Sequence, residues 1–209
     1  MTEKQVSARR RPRQARARET VSLMFEAAIR ILDAEGLEAL TTNRIAATAG
    51  VSIGTLYQYF PNREALLEAL TRREIAAVFD ALARLRDEGR AEAATQEARL
   101  RAFVRAILGA LDGRLHARRA LMVAIVRSGR FEALLAETDA LTVALLADSG
   151  AATPADALDG FVLSRAVGGA IRGALLRDAS MLRSPAFEDA LVRLIAGYLG
   201  AGSAGSMSR

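Results

Sequence analysis

Apolar residues recur every three or four positions along most of this chain, which is the spacing of one face of an α-helix. The first stripe predicts a helix from about Arg16 to Glu35 that ends at Gly36. A longer stripe predicts a helix from about Asn62 to Arg86, long enough to connect an N-terminal domain with the rest of the chain. Further stripes predict helices near residues 100–113, 121–129 and 131–146.

Capping residues with a proline mark the last two helices. The segment Thr153–Asp156 combines a cap, a first-turn proline and an acid, and predicts a helix to about Asp178. Ser184 and Pro185 repeat this pattern and predict a last helix through Leu199. No alternation typical of strands occurs, so the sequence predicts an all-α fold of about nine helices.

Two short helices joined by a sharp turn are predicted within residues 41–63. Thr41 caps the first, and Gly50 ends it because glycine adopts the left-handed backbone conformation without a β-carbon clash. Ser52 caps the second, and Pro61 limits it to about two turns because it disfavours helical geometry at the preceding residue. This arrangement is typical of a helix-turn-helix.

The second of these helices buries Leu56 and Phe60 and presents its other face outward. Small side chains there allow the helix N-terminus to approach a phosphate backbone, and tyrosine hydroxyls can bond phosphates. Gln58 has the paired donor and acceptor that match the major-groove edge of adenine. The pattern favours a DNA-binding helix, and the alternative is a solvent-exposed helix without a partner. The outward residues are Ile53, Gly54, Thr55, Tyr57, Gln58 and Tyr59.

The run TTNRIAATAGVSIGTLYQYFPNREALL, residues 41–67, resembles the DNA-binding motif of the tetracycline-repressor (TetR) family, and the similarity extends over roughly residues 16–75. The resemblance implies phosphate contacts from Thr41 or Thr42, Tyr57, Tyr59 and Arg63. It implies base-edge contacts from Arg44, Ser52, Ile53, Gly54, Thr55 and Gln58. The family usually has a lysine where this chain has Arg63, which preserves a phosphate contact because either cation serves there.

Four regions are predicted: a basic disordered arm over residues 1–15, a three-helix helix-turn-helix DNA-binding domain over 16–61, a larger helical effector-binding and dimerisation domain over 62–199, and a flexible tail over 200–209. The net charge of +5 lies entirely within residues 1–20. Beside a DNA-binding motif, such an arm adds phosphate contacts and becomes ordered only on DNA. The alternative is a solubilising tail.

Composition argues against an enzyme, a cofactor site and a membrane protein. The chain has no cysteine and one histidine, His116, with no spaced acids or zinc-ligand pattern around it. No signal peptide is recognisable, and the longest apolar run, Ala120–Val126, is too short to span a bilayer. We therefore expect a cytoplasmic protein with no metal and no cofactor.

Within the predicted helix, Gly168, Gly169 and Gly173 leave one side nearly flat between Leu158 and Leu176. Such a side packs closely either within one subunit or against a second copy. A homodimer is expected, because a two-turn helix contacts too few bases and paired half-sites correct this. The resemblance implies that the last two helices form the interface. The candidate interface residues are Gly168, Ile171, Gly173, Leu175, Leu191, Ile195 and Tyr198.

The resemblance also implies a small-molecule pocket between the long connecting helix and the helices after it. Ordinary core packing explains each candidate equally well from sequence. Arg165 is a cation on an apolar helix face, and it either binds an anionic effector or pairs with an acid across an interface. The candidate pocket residues are Phe103, Ile107, Met122, Ile125, Phe131, Leu135, Phe161 and Arg165.

The resulting hypothesis is a homodimeric transcriptional regulator, a repressor that occupies a palindromic operator in double-stranded DNA. A small-molecule effector would tilt the long helix and change the separation of the two DNA-binding helices. The alternative is a helical protein-interaction adaptor of the same fold that does not bind an operator.

Overall fold

The computed structural model describes residues 3–89, 95–148 and 157–205, and these contain only helices and their connections. The helices are α1 (Glu3–Glu35), α2 (Thr42–Ala49), α3 (Ile53–Tyr59), α4 (Arg63–Gly89), α5 (Gln96–Leu111), α6 (Leu115–Arg127), α7 (Phe131–Asp148), α8 (Ala157–Arg177) and α9 (Pro185–Gly205). A 3₁₀-helix, Ala179–Arg183, precedes α9. The predicted all-α class is therefore confirmed, with nine α-helices within these residues.

Helix α1 begins at Glu3, not near Arg16, so the basic segment expected to be disordered is helical from its third residue. Alanine, arginine and glutamine favour a helix in this segment, whereas Pro12 within it disfavours one. Ordering of the arm on DNA stays a prediction. Helix α9 likewise continues to Gly205, six residues beyond the predicted end. The predicted cap Thr153–Asp156 and residues 206–209 lie outside the described residues.

The N-terminal core is built by α1, α2, α3, the start of α4 and one side of α6. Helix α6 contributes Ala117 and Leu121, and α4 contributes Leu66 and Leu70. The predicted boundary after residue 61 therefore passes through a packed core, because α4 and α6 both belong to it. The side chains at its centre, less than 2% exposed, are Met24, Leu32, Leu40, Ile45, Leu56, Leu66 and Leu70.

The second core is formed by the later part of α4 with α5, α8 and α9. Helix α5 packs along α9, and the Nε–H of Arg105 donates a bifurcated hydrogen bond to the two oxygens of the Glu188 carboxylate, at 2.9 and 3.0 Å. Asp178 ends α8 and caps the 3₁₀-helix by accepting a hydrogen bond from the Ser180 amide at 3.0 Å. Sequence periodicity gave no sign of this short helix, because five residues are too few for a stripe.

None of the described helices combines the length and apolarity that crossing a bilayer requires.

Candidate DNA-binding site

The turn between α2 and α3 is fixed by backbone geometry and two caps. Gly50 has φ +68°, in the left-handed region, and the Val51 amide bonds the Ala46 carbonyl at 3.0 Å. The Thr41 hydroxyl accepts from the Arg44 amide at 3.2 Å and starts α2. The caps and the glycine are those that the sequence predicted. They orient α3 firmly on the N-terminal core.

Helix α3 has one buried and one exposed face. Leu56 is fully buried and Phe60 stacks at 5.6 Å on Phe25 of α1, whereas Tyr57 is 50% exposed on the opposite face. Thr55 is half-buried, since its amide and hydroxyl bond the Ser52 hydroxyl at 3.0 and 2.8 Å. The other outward residues, Ser52, Ile53, Gly54, Gln58 and Tyr59, are all exposed.

Polar contacts tie the remaining candidate residues to this surface. The Thr42 and Tyr57 hydroxyls lie 3.2 Å apart and link α2 to α3. Arg63 donates from a terminal nitrogen to the Leu40 carbonyl at 3.3 Å, which holds it at the start of α4. Both contacts involve side chains that remain partly accessible. The candidate phosphate-binding residues therefore lie around the exposed face of α3.

Arg44 pairs with Glu35 at the end of α1. Sequence reasoning missed Glu35, because its nine-residue separation from Arg44 spans a helix end and a loop and no local spacing rule connects them. In the free protein this carboxylate holds the guanidinium beside α2. The DNA contact predicted for Arg44 would compete with this ion pair.

The second domain contains a largely apolar cavity of about 220 Å³ between α4, α6, α7 and α8. Four of the eight candidate pocket residues line it: Met122, Ile125, Phe131 and Leu135. Sequence reasoning missed the α4 side of this cavity, which is formed by Ile75, Val78 and Phe79. Their apolar type alone did not distinguish a cavity wall from a core.

The other four candidates lie elsewhere. Phe103 and Ile107 are buried in the second core, and Phe161 is exposed on α8. Arg165 stacks on the Phe161 ring at 5.1 Å and pairs with Glu132 at 2.8 Å and Asp139 at 2.9 Å. The Glu132 hydrogen bond, opposed by burial and helped by Asp139, raises the pKa of the Arg165 guanidinium. Arg165 is therefore paired with acids, as one of the two interpretations had it, but these acids belong to α7 of the same subunit and do not lie across an interface.

The candidate dimer residues also divide. Leu175, Leu191 and Ile195 are buried in the subunit's own second core, so their placement on a dimer surface was wrong. Helical periodicity predicted that these positions are covered, but it did not indicate which neighbour covers them. Gly168 and Ile171 line the cavity, Gly173 is exposed, and the Tyr198 hydroxyl bonds Asp159 at 2.9 Å.

A different face of α8 and α9 is apolar and exposed. It carries Leu158, which is 67% exposed, together with Phe161, Val162 and Leu194. These residues lie on the two helices that were predicted to form the interface, but they were not among the candidate interface residues. Only the packing of the helices reveals that the described residues of the subunit leave this face exposed.

Helix α6 joins the two cores. Arg114 forms a two-point ion pair with Glu26 of α1 at 2.9 and 2.8 Å, and the Ala117 amide donates to Asp33 of α1 at 3.2 Å. The hydrogen bond from Arg114, which outweighs the effect of burial, lowers the pKa of Glu26. Residues of α6 also line the cavity. Helix α6 thus contacts both the N-terminal core and the cavity.

Residues 25–70 match the family model described as bacterial regulatory proteins, tetR family. The chain is 43% identical over 54 residues to the HTH-type transcriptional repressor DrrR1 of Streptomyces coeruleorubidus, covering 26% of this chain and 20% of that protein. It is 38% identical over 66 residues to the HTH-type transcriptional regulator BetI 1 of Chromohalobacter salexigens, covering 32% and 33%. The chain thus matches a fifth to a third of the length of these curated relatives.

Solved structures share the fold over most of the chain. The multidrug binding protein EbrR, complexed with imidazole, superposes with a TM-score of 0.65 at 21% identity, covering 86% of this chain and 94% of that one. A TetR transcriptional regulator from Rhodococcus sp. RHA1 superposes with a TM-score of 0.61 at 23% identity, covering 89% and 97%. At these identities the similarity establishes the arrangement of helices.

Proposed function

We propose that this chain is a TetR-family transcriptional regulator, DNA-binding and not enzymatic, and that it acts as a homodimeric repressor on a palindromic operator. In this proposal a small molecule bound in the second domain releases the operator. The protein acts in the cytoplasm, where it reaches the chromosome. The observation that carries the proposal is the exposed outer face of α3, held outward by its buried inner face.

Each side chain around α3 has a role suited to its position. Gln58 and the small residues Gly54 and Thr55 face the base edges in the major groove. Tyr57 and Arg63 flank them and bond phosphates, which fixes the helix in the groove without reading sequence. Arg44 leaves Glu35 to reach the DNA.

Dimerisation supplies the second half-site contact, since two copies of α3 reach successive major grooves only in a symmetric pair. The exposed apolar face of α8 and α9 supports this step. Leu158, Phe161, Val162 and Leu194 are large apolar side chains exposed on two neighbouring helices, a surface that a second copy would cover.

For an effector to release the operator, its binding in the cavity must move the helices of the N-terminal core, which carry α3. Helix α4 lines the cavity and also packs in the N-terminal core, and α6 does the same through Ala117 and Arg114. An effector that widens the cavity therefore tilts α4 and α6 and changes the separation of the two α3 helices. It favours release only as far as it binds the released spacing more tightly.

DNA binding is tested by selecting sites from random DNA and measuring affinity by fluorescence anisotropy over a range of salt concentrations. We expect Tyr57→Ala with Arg63→Ala to weaken binding about a hundredfold, because two phosphate contacts are lost. Arg63→Ala alone should reduce the salt slope by about one. Arg183→Ala, which removes an exposed arginine from the second domain, is the control. Equal affinity of the double variant and the control would contradict the proposal.

Dimerisation is tested by sedimentation equilibrium. Leu194→Asp places a charge in the exposed apolar face of α8 and α9 and is expected to yield a monomer. Leu23→Asp is the matched control, because Leu23 is similarly exposed but lies on α1 in the DNA-binding head. A wild-type monomer, or dissociation to a monomer in both variants alike, would contradict this interface.

A further inference from the structure

The cavity between α4, α6, α7 and α8 carries three charged side chains in an otherwise largely apolar wall: Glu74, Arg118 and Arg172. Charges in such a wall are costly unless paired, so their partners indicate what a ligand must supply. Two of the three compensate each other and the third does not.

Glu74 and Arg118 form the compensated pair. A terminal nitrogen of Arg118 lies 2.9 Å from the Glu74 carboxylate, and the other donates to the Ala110 carbonyl at 3.1 Å. Both side chains are largely buried. The one acid in the cavity wall is therefore already neutralised, and a cationic ligand would have to displace an arginine to use it.

Arg172 is held differently. Its guanidinium lies over the Phe131 ring, 4.5 Å from the ring centroid. Among the side chains that the structure describes, no carboxylate pairs with it and none forms a hydrogen bond to it. Stacking uses the face of a guanidinium and leaves the N–H groups at its edge free for a planar, two-point contact with a carboxylate.

We propose that the ligand of this cavity is an amphiphilic carboxylate, with its hydrocarbon part among the apolar side chains and its carboxylate on the edge of Arg172. The proposal rests on the cavity being the effector site. The three wall charges sum to one positive charge, which a carboxylate neutralises. A neutral amphiphile leaves the guanidinium uncompensated, and a cationic one adds a second like charge.

The ligand class is tested by isothermal titration of the wild-type protein without DNA, using octanoate, octanol and octylammonium as probes. These share one hydrocarbon chain and differ in the charge of the head group. We expect octanoate to bind at least about tenfold more tightly than either of the others. Octanol or octylammonium binding as tightly as octanoate, or no binding by octanoate, would overturn the proposal.

The role of Arg172 is tested with Arg172→Gln, which removes the charge and keeps a similar side-chain length. It is expected to weaken octanoate about tenfold and to leave octanol unchanged. Arg165→Gln is the matched control, because Arg165 lies on the same helix and also stacks on a phenylalanine but does not line the cavity. Equal effects of the two variants on octanoate would overturn the assignment of Arg172.

The location is tested with Gly168→Leu. Gly168 lines the cavity, and a Cβ added there meets no atom within 4 Å, so a side chain can begin at this position and occupy space that the ligand would need. We expect it to abolish octanoate binding, and retained binding would overturn the site.

Operator release is measured separately: an uncharged ligand that binds and releases DNA contradicts this inference alone. Arg172-dependent octanoate binding that leaves operator affinity unchanged contradicts the effector role alone.

Discussion

Helices α3 and α8 differ in the number of distinct environments that their side chains face. Around α3 there are two: Leu56 faces the N-terminal core and Tyr57 faces outward. Around α8 there are three, because Val167 faces the second core, Arg172 faces the cavity and Phe161 is exposed. Hydrophobic periodicity separates covered from uncovered positions, which suffices for α3. It does not tell a core from a cavity or a partner surface, which is the distinction that α8 requires.

The sharpest way to break the contrast within α3 is to change its two faces separately. Leu56→Ala is expected to cost about 2–5 kcal/mol in the free energy of unfolding, because it leaves a cavity in a fully packed core. Gln58→Ala should stay within about 0.5 kcal/mol and change which bases are selected. Chemical denaturation and site selection measure the two effects. A destabilising Gln58→Ala would contradict the outward position of this side chain.

Two glycines of α8 sharpen the contrast within that helix. A Cβ at Gly160 would lie 2.8 Å from the Val143 side chain, whereas one at Gly173 meets no atom within 4 Å. Gly160→Ala is therefore expected to destabilise by about 1–3 kcal/mol through overpacking. Gly173→Ala should stabilise by up to about 1 kcal/mol, because alanine favours the helix. Thermal unfolding of both variants measures the difference, and the same sign at both positions would be the contrary result.

Two matched helix caps allow a direct comparison of the N-terminal core with the second core. Ser52 caps α3 by accepting from the Thr55 amide at 3.0 Å, and Thr95 caps α5 by accepting from the Ala98 amide at 3.2 Å. Alanine at either position is expected to cost about 1 kcal/mol. Only Ser52→Ala should also weaken DNA binding, since α3 is the helix proposed to enter the groove. Anisotropy measured on both variants decides this, and an equal loss would indicate a general effect on folding.

The smallest expected effect concerns the ion pair between Glu26 of α1 and Arg114, which directly precedes α6. Because Arg114 lowers the pKa of Glu26, this pair stabilises the folded state above the ordinary glutamate pKa and loses its contribution as pH falls through the lowered value. Glu26→Gln should remove about 0.2–1 kcal/mol at neutral pH and flatten stability against pH in the acid range. Glu38→Gln, at a carboxylate whose side chain is 92% exposed, is the control. An unchanged acid profile in Glu26→Gln would count against the pair.

The sequence predicted the parts of this molecule that depend on neighbouring residues. Thr41, Gly50 and Ser52 act within four residues of their partners, so their caps and turn follow from local rules. Leu191 and Ile195 were misplaced because their burial depends on how α9 packs against α5, far away in the chain. Chain order alone does not determine such packing.

The most direct test of the account compares a selected palindromic site with its half-site in the same anisotropy titration. Two exposed α3 helices acting in a symmetric pair require two chains per palindrome and a loss of at least about a hundredfold on the half-site. Equal affinity for the half-site and the palindrome, with one chain bound to each, would contradict the account.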